Sequence, residues 1–165
     1  MRGDTTLLHR ARPITRRRLF AGMCASAALC VLPERVRADF ISLAPVAYVV
    51  DDESGFEQAL SYASRLTRSA LVYVGAQWCP VCQTIERRTL QHHHVSALLQ
   101  SIALVKIDVT AMNADSKALL YRFAVIGPPT LFVVETASGR EYANKRMVGK
   151  VEPSELVHHL RTYAT

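Results

Sequence analysis

Cys79 and Cys82, three residues apart, with Trp78 before them and Pro80 between them, are the side chains in this sequence best suited to covalent chemistry. Disulfide exchange needs a thiolate that attacks and a second thiol near enough to resolve the mixed disulfide. A Cys-x-x-Cys pair meets both needs when its first cysteine opens a helix. The unpaired N–H groups and the positive dipole end of that helix then face the sulfur. The thiol pKa of Cys79 is expected to fall from about 8.5 toward about 3.5–7.5. Cys82 follows about one turn later on the same face and deeper in the helix. Cys79 is thus the expected nucleophile and Cys82 the expected resolving thiol. The competing chemistry is half of a zinc site. Zinc calls for four ligands, and no second Cys-x-x-Cys or His-x3-His completes the set. His92-His93-His94 and His158-His159 do not replace them, because consecutive helical positions point about 100° apart. No metal site is expected. No cofactor is expected either, since the chain has no Gly-x-Gly-x-x-Gly for nicotinamide or flavin.

A strand must deliver the pair and a helix must begin on it. Ala70–Ala76 (ALVYVGA) reads as a buried strand, and Pro80 suits a first helical turn, where its missing N–H costs nothing. Upstream, Ala47–Val50 is a short apolar run. Ser54 can cap a helix through Thr67, with Phe56, Leu60, Ala63 and Leu66 on one face. Downstream, a helical piece over His93–Gln100 precedes a strand over Ile102–Val109 and a helix over Asn113–Phe123. Thr130–Glu135 reads as a strand, Ser138-Gly139 as a turn, Glu141–Val148 as the hairpin partner, and Pro153–Thr162 as a closing helix. Strands alternating with helices, then a hairpin and a helix, predict an α/β fold with a mixed sheet of four to five strands covered on both faces.

The charge balance separates a leader from a body. The chain has 165 residues, a formal charge of +6 and a pI near 9.4, values that invite a nucleic-acid reading. Residues 1–38 hold eight arginines against Asp4 and Glu34, so the whole excess lies there. The remainder carries 12 basic and 12 acidic residues and offers nucleic acid nothing. Within the leader, Thr15-Arg16-Arg17-Arg18-Leu19-Phe20 opens an uncharged run to Leu32, and Val36-Arg37-Ala38 closes it. That is the layout of a signal peptide with cleavage expected after Ala38; left uncleaved, it would tether the chain to the membrane. Thr-Arg-Arg-x-Leu-Phe resembles a twin-arginine signal. The uncharged run is shorter than the ~20 residues of a comfortable membrane span. Cys24 and Cys30 leave with the leader, so the body at 39–165 keeps only Cys79 and Cys82 and has no structural disulfide framework.

Trp78-Cys79-Pro80-Val81-Cys82 after an apolar strand, with Gly127-Pro128-Pro129-Thr130 opening a later one, resembles the thioredoxin superfamily. Ala76-Gln77-Trp78-Cys79, Glu86 with Arg88-Thr89, and Val109-Thr110-Ala111 further resemble the periplasmic C-terminal domain of DsbD-type transmembrane electron transporters. The resemblance spans residues 45–163 and implies a thioredoxin fold with a redox disulfide between Cys79 and Cys82. It makes Pro129 the candidate cis-proline, which in the family packs beside the cysteines and shapes the substrate groove with Trp78 and the residue at Pro128. Pro128 departs from the usual aliphatic residue and has no N–H to offer an extended substrate. Tyr73 stands where the family often has a buried aspartate, and an un-ionised tyrosine is a poor base. Glu86 matches an acidic residue of the DsbD-type domain and is the candidate proton acceptor for Cys82. The alternative is a solvated glutamate beside Arg87 and Arg88.

The resemblance implies a periplasmic, monomeric reductant of protein disulfides, recharged by a membrane thiol donor of DsbD/CcdA type. Two rivals stay open. One is a DsbA-like oxidant, since the Pro80-Val81 dipeptide between the cysteines matches neither the usual reductant nor the usual oxidant type. The other is a non-catalytic module that holds a partner or a metal through the same groove.

Overall fold

Apolar, β-branched runs build a five-stranded sheet in this computed structural model, which describes residues 46–143 and 145–164. The expected leader, residues 1–38, and its cleavage after Ala38 lie outside the described residues. The strands are β1 (Ala47–Val50), β2 (Ser69–Gly75), β3 (Ala103–Asp108), β4 (Thr130–Glu135) and β5 (Met147–Val148), in spatial order β1-β3-β2-β4-β5. β3 runs parallel to β1 and β2, whereas β4 runs antiparallel to β2 and β5, so the sheet is mixed. The helices are α1 (Glu53–Ala63), α2 (Pro80–Thr84), α3 (His93–Leu98), α4 (Ala114–Arg122) and α5 (Pro153–Leu160). A π-helical turn, Ile85–Thr89, continues α2.

β2 is buried at every position, as a central strand covered on both faces requires. One face carries Val72 and its partners Val105 and Phe132; there Phe123 from the end of α4 packs between Phe132, tilted against it, and Phe56 of α1, edge to face. The opposite face carries Tyr73 and its partners Lys106 and Leu131, and Tyr73 reaches the helix that starts at Pro80. Burying each large aliphatic or aromatic side chain here is worth about 1.5–3 kcal/mol.

Three local expectations shift. Asp52, not Ser54, caps α1: its carboxylate accepts the Gly55 N–H at 2.6 Å and the Ser54 hydroxyl at 2.9 Å. An anionic acceptor is the stronger cap at the positive end of a helix. α1 also stops at Ala63, whose carbonyl accepts the Thr67 N–H as the chain turns into β2, and Leu66 is left 72% exposed rather than on the buried face. The segment 141–148 is not a continuous hairpin strand. Glu141 bridges Val134, but pairing resumes only at Met147 opposite Leu131, so six steps on one side face three on β4.

Candidate active site

β2 ends at Gly75, and Ala76–Trp78 carry the chain to Cys79, the N-cap of α2. Cys79 is extended (φ −95°, ψ 108°), and Pro80 takes the first helical position, where no intrahelical donor is needed. The Cys82 N–H donates to Cys79 Sγ at 3.1 Å. One orphan donor of the helix start thus points at the sulfur. The two cysteines are disulfide-bonded, with their Cα atoms 5.2 Å apart. Cys82 is 1% exposed and Cys79 6%, so Cys79 is the outer of the pair.

Trp78 stands beside them, 56% exposed. Its indole N–H donates to the Thr110 carbonyl at 3.1 Å. The Gln77 N–H donates to Thr110 Oγ1 at 2.9 Å, and Thr110 is held in turn by Asp108, which accepts its N–H at 2.8 Å and its hydroxyl. The turn after β3 therefore fixes the turn after β2. Val109-Thr110-Ala111 belonged to the sequence resemblance without a role; this bracing supplies one.

The Pro128–Pro129 peptide is cis. It leads into β4, whose first residue Thr130 pairs with Val74, next to the end of β2. Register thus puts Pro129 at the same end of the sheet as the cysteine turn. The loop is held on both sides, by the Thr130 hydroxyl on the Gly127 carbonyl at 2.7 Å and by the Gly149 N–H on the Pro129 carbonyl at 3.1 Å.

Glu86 lies in the π turn. Its carboxylate pairs with Lys106 of β3 at 3.4 Å rather than with Arg87 or Arg88. Lys106, which reads in the sequence as an ordinary strand-end charge, thereby joins the site. Together with Tyr73, Gly75, Gln83, Arg87 and Asp108 the two line a cleft of about 500 Å³ behind the cysteine helix. Tyr73 is 1% exposed and its hydroxyl donates to the Cys82 carbonyl at 3.2 Å, a contact that the sequence did not signal. Burial, and then the nearby Glu86 and Asp108 carboxylates, push its pKa well above that of a free tyrosine, so it remains a donor.

Among the described residues no three His, Cys, Asp or Glu side chains are grouped to hold a metal ion. The rings of His92 and His93 stack, and that of His94 lies tilted against both, with the His93 and His94 centroids 3.9 Å apart.

The described chain can therefore hold a reversible disulfide at a helix start, flanked by an exposed tryptophan, a cis-proline loop and a charged cleft. A thioredoxin-like family model matches residues 51–135, just over half of the chain. The thiol:disulfide interchange protein DsbD of Pseudomonas sp. (strain JR1 / K1) is 31% identical over 113 residues, covering 68% of this chain and 19% of that protein. DsbD of Ralstonia nicotianae is 36% identical over 100 residues, covering 61% of this chain and 16% of the relative. The chain thus spans about a fifth of the length of the curated relatives that it matches. The reduced DsbD C-terminal domain of Neisseria meningitidis superposes with a TM-score of 0.60 at 22% identity, covering 72% of this chain and 99% of that one. A thioredoxin from Thermus thermophilus gives a TM-score of 0.59 at 24% identity, covering 73% of this chain and 87% of the other. These structural likenesses carry the fold, and with the family match they establish that the chain belongs to the thioredoxin-like family.

Proposed function

We infer that this protein is a thiol–disulfide oxidoreductase that reduces protein disulfides through Cys79 and Cys82. The observation that carries the reading is the Cys79 sulfur at the N-cap of α2, bonded to Cys82 and facing the Cys82 N–H. The names of the curated relatives, thiol:disulfide interchange proteins, support the same chemistry.

In the reduced form the Cys79 thiolate attacks one sulfur of a substrate disulfide. A Cys79–substrate bond forms, and the other substrate sulfur leaves as a thiolate that takes up a proton. Cys82 then gives up its proton, with the Glu86 carboxylate as acceptor. The Cys82 thiolate attacks Cys79 Sγ; the Cys79–Cys82 bond forms and the second substrate thiolate departs. The substrate gains two electrons and the pair loses two. Trp78 and the Pro128–Pro129 loop border the groove in which the substrate chain lies.

The leader's twin-arginine pattern supports export to the periplasm, where a membrane thiol donor of DsbD type would return the pair to the dithiol. An insulin-reduction assay tests the reading. The wild type accelerates precipitation of the insulin chains, Cys79→Ser is inactive, and Cys82→Ser accumulates a substrate-linked adduct that dithiothreitol releases. A Cys82→Ser protein that captures no substrate overturns it. The direction is read from the reduction potential: a value near about −270 mV marks a reductant and one near about −120 mV an oxidant.

A further inference from the structure

Tyr73 has a polar role that core packing alone does not explain. It lies on the buried face of β2, where a phenylalanine would fill the same space, and a hydroxyl placed there costs free energy unless it is bonded. Its partner is the carbonyl of the resolving cysteine, at 3.2 Å. That carbonyl sits where α2 passes into the π turn, and there the Ile85 N–H is shared between the carbonyls of Val81 and Cys82. The tyrosine hydroxyl therefore supplies a second donor at a place where the helix ladder is divided.

The ring is seated by Gly75. A Cβ at that position would come within 2.7–2.8 Å of Tyr73 Cζ, Cε1 and Oη, which real side chains do not tolerate. Two residues apart on one strand, Tyr73 and Gly75 share a face, so the missing side chain at 75 is what lets the ring lie along the strand toward the cysteine helix. Both residues line the cleft that holds Glu86, Lys106 and Asp108, whereas Cys82 does not.

We propose that Tyr73, seated over Gly75, is the positioning residue of the resolving step: its hydroxyl holds the Cys82 backbone in the orientation from which that thiolate attacks Cys79. The proposal rests on the oxidoreductase reading and assigns a residue to one half of its cycle. The donated hydrogen bond also withdraws negative charge from the carbonyl of the residue whose thiolate must form, which favours that anion.

The two half-steps separate when the reduced protein is mixed rapidly with 5,5′-dithiobis(2-nitrobenzoate). Attack by Cys79 releases one thionitrobenzoate and leaves the other on Cys79; resolution by Cys82 releases the second. In Tyr73→Phe the first release keeps its rate. The second slows about three- to tenfold, the factor to which one neutral hydrogen bond converts, and its pH midpoint moves to higher pH. Gly75→Ala pushes the ring aside and slows the same phase, and Tyr73→Phe/Gly75→Ala is no slower than the slower single variant. A Tyr73→Phe protein with an unchanged second phase overturns the proposal, as does equal slowing of both phases or additive effects in the double variant. A wild type that shows no second release overturns the oxidoreductase reading as well, so the two failures are distinguishable.

Discussion

Glu86 and Lys106 face each other at 3.4 Å with side chains 44% and 26% exposed, and a pair this wet contributes under about 1 kcal/mol to stability. On the proposed mechanism its value lies in the proton that Cys82 gives up. Glu86→Gln is therefore expected to leave the urea midpoint nearly unchanged while slowing the resolving release; a large loss of stability at an unchanged rate would make the glutamate a structural residue. Tyr73 titrates with the opposite emphasis. Its folded-state pKa is raised above the ordinary 10.0 by burial and by the Glu86 and Asp108 charges. The stability that it contributes is thus fully present below the unfolded value, about pH 10, and is lost as pH rises through the folded one. Urea melts taken from pH ~9 to ~11 should show wild type losing more stability than Tyr73→Phe. At this scale the cysteines were legible because their spacing is itself the chemistry. Tyr73 was legible only as a departure, since a bond from a hydroxyl to a backbone carbonyl leaves no pattern of residue types. Lys106 was missed because a strand-end lysine has the same sequence appearance with or without a carboxylate opposite.

The excursion between β4 and β5 hands its work to one side chain. The guanidinium of Arg146 turns back onto the Glu141 carboxylate, with Nε donating at 2.6 Å, and donates to the carbonyls of Phe123 and Ala124. Those two carbonyls close α4, and Ala124 has a left-handed backbone (φ +46°) at the start of the loop that reaches Pro128–Pro129. Arg146 thus fastens one end of the groove loop to the hairpin. Arg146→Lys keeps the charge but cannot span both carbonyls and the carboxylate with one ammonium. We expect a loss of roughly 1–3 kcal/mol, scaled down because the arginine is 31% exposed, and a KM for protein substrates that rises more than kcat falls. Urea melts and insulin-reduction kinetics check the two halves of that expectation. Apolar runs announced β1 to β4, and a Pro-led turn announced α2 and α5. The π turn and the three extra residues before Met147 were not announced, because both depend on distant partners: Thr89 on the Val151 carbonyl, and Arg146 on the end of α4.

At the scale of the molecule, the sequence located its charge correctly only when read in segments, since the +6 belongs wholly to residues 1–38 and the thioredoxin-like body is neutral. What the body must set is the balance between disulfide and dithiol, and that balance is a difference in folding free energy. A strong oxidant is one whose reduced form is stabilised, chiefly through donors to the thiolate. Here three backbone positions at the cysteine end of the sheet are prolines: Pro80 at the first helical position and Pro128 and Pro129 in the cis loop supply no N–H. Among the described residues the Cys82 N–H is the donor seen on the sulfur, at 3.1 Å. With few donors the thiolate gains little, while the disulfide retains the loop-closure advantage of about 2 kcal/mol that a ring of this size confers on the folded state. The oxidised protein should therefore unfold at higher urea than the reduced one at neutral pH, with equal slopes, and each ~1.4 kcal/mol of that gap lowers the potential by about 30 mV. A reduced form that resists urea better than the oxidised form would place the donors elsewhere and favour the oxidant over the proposed reductant.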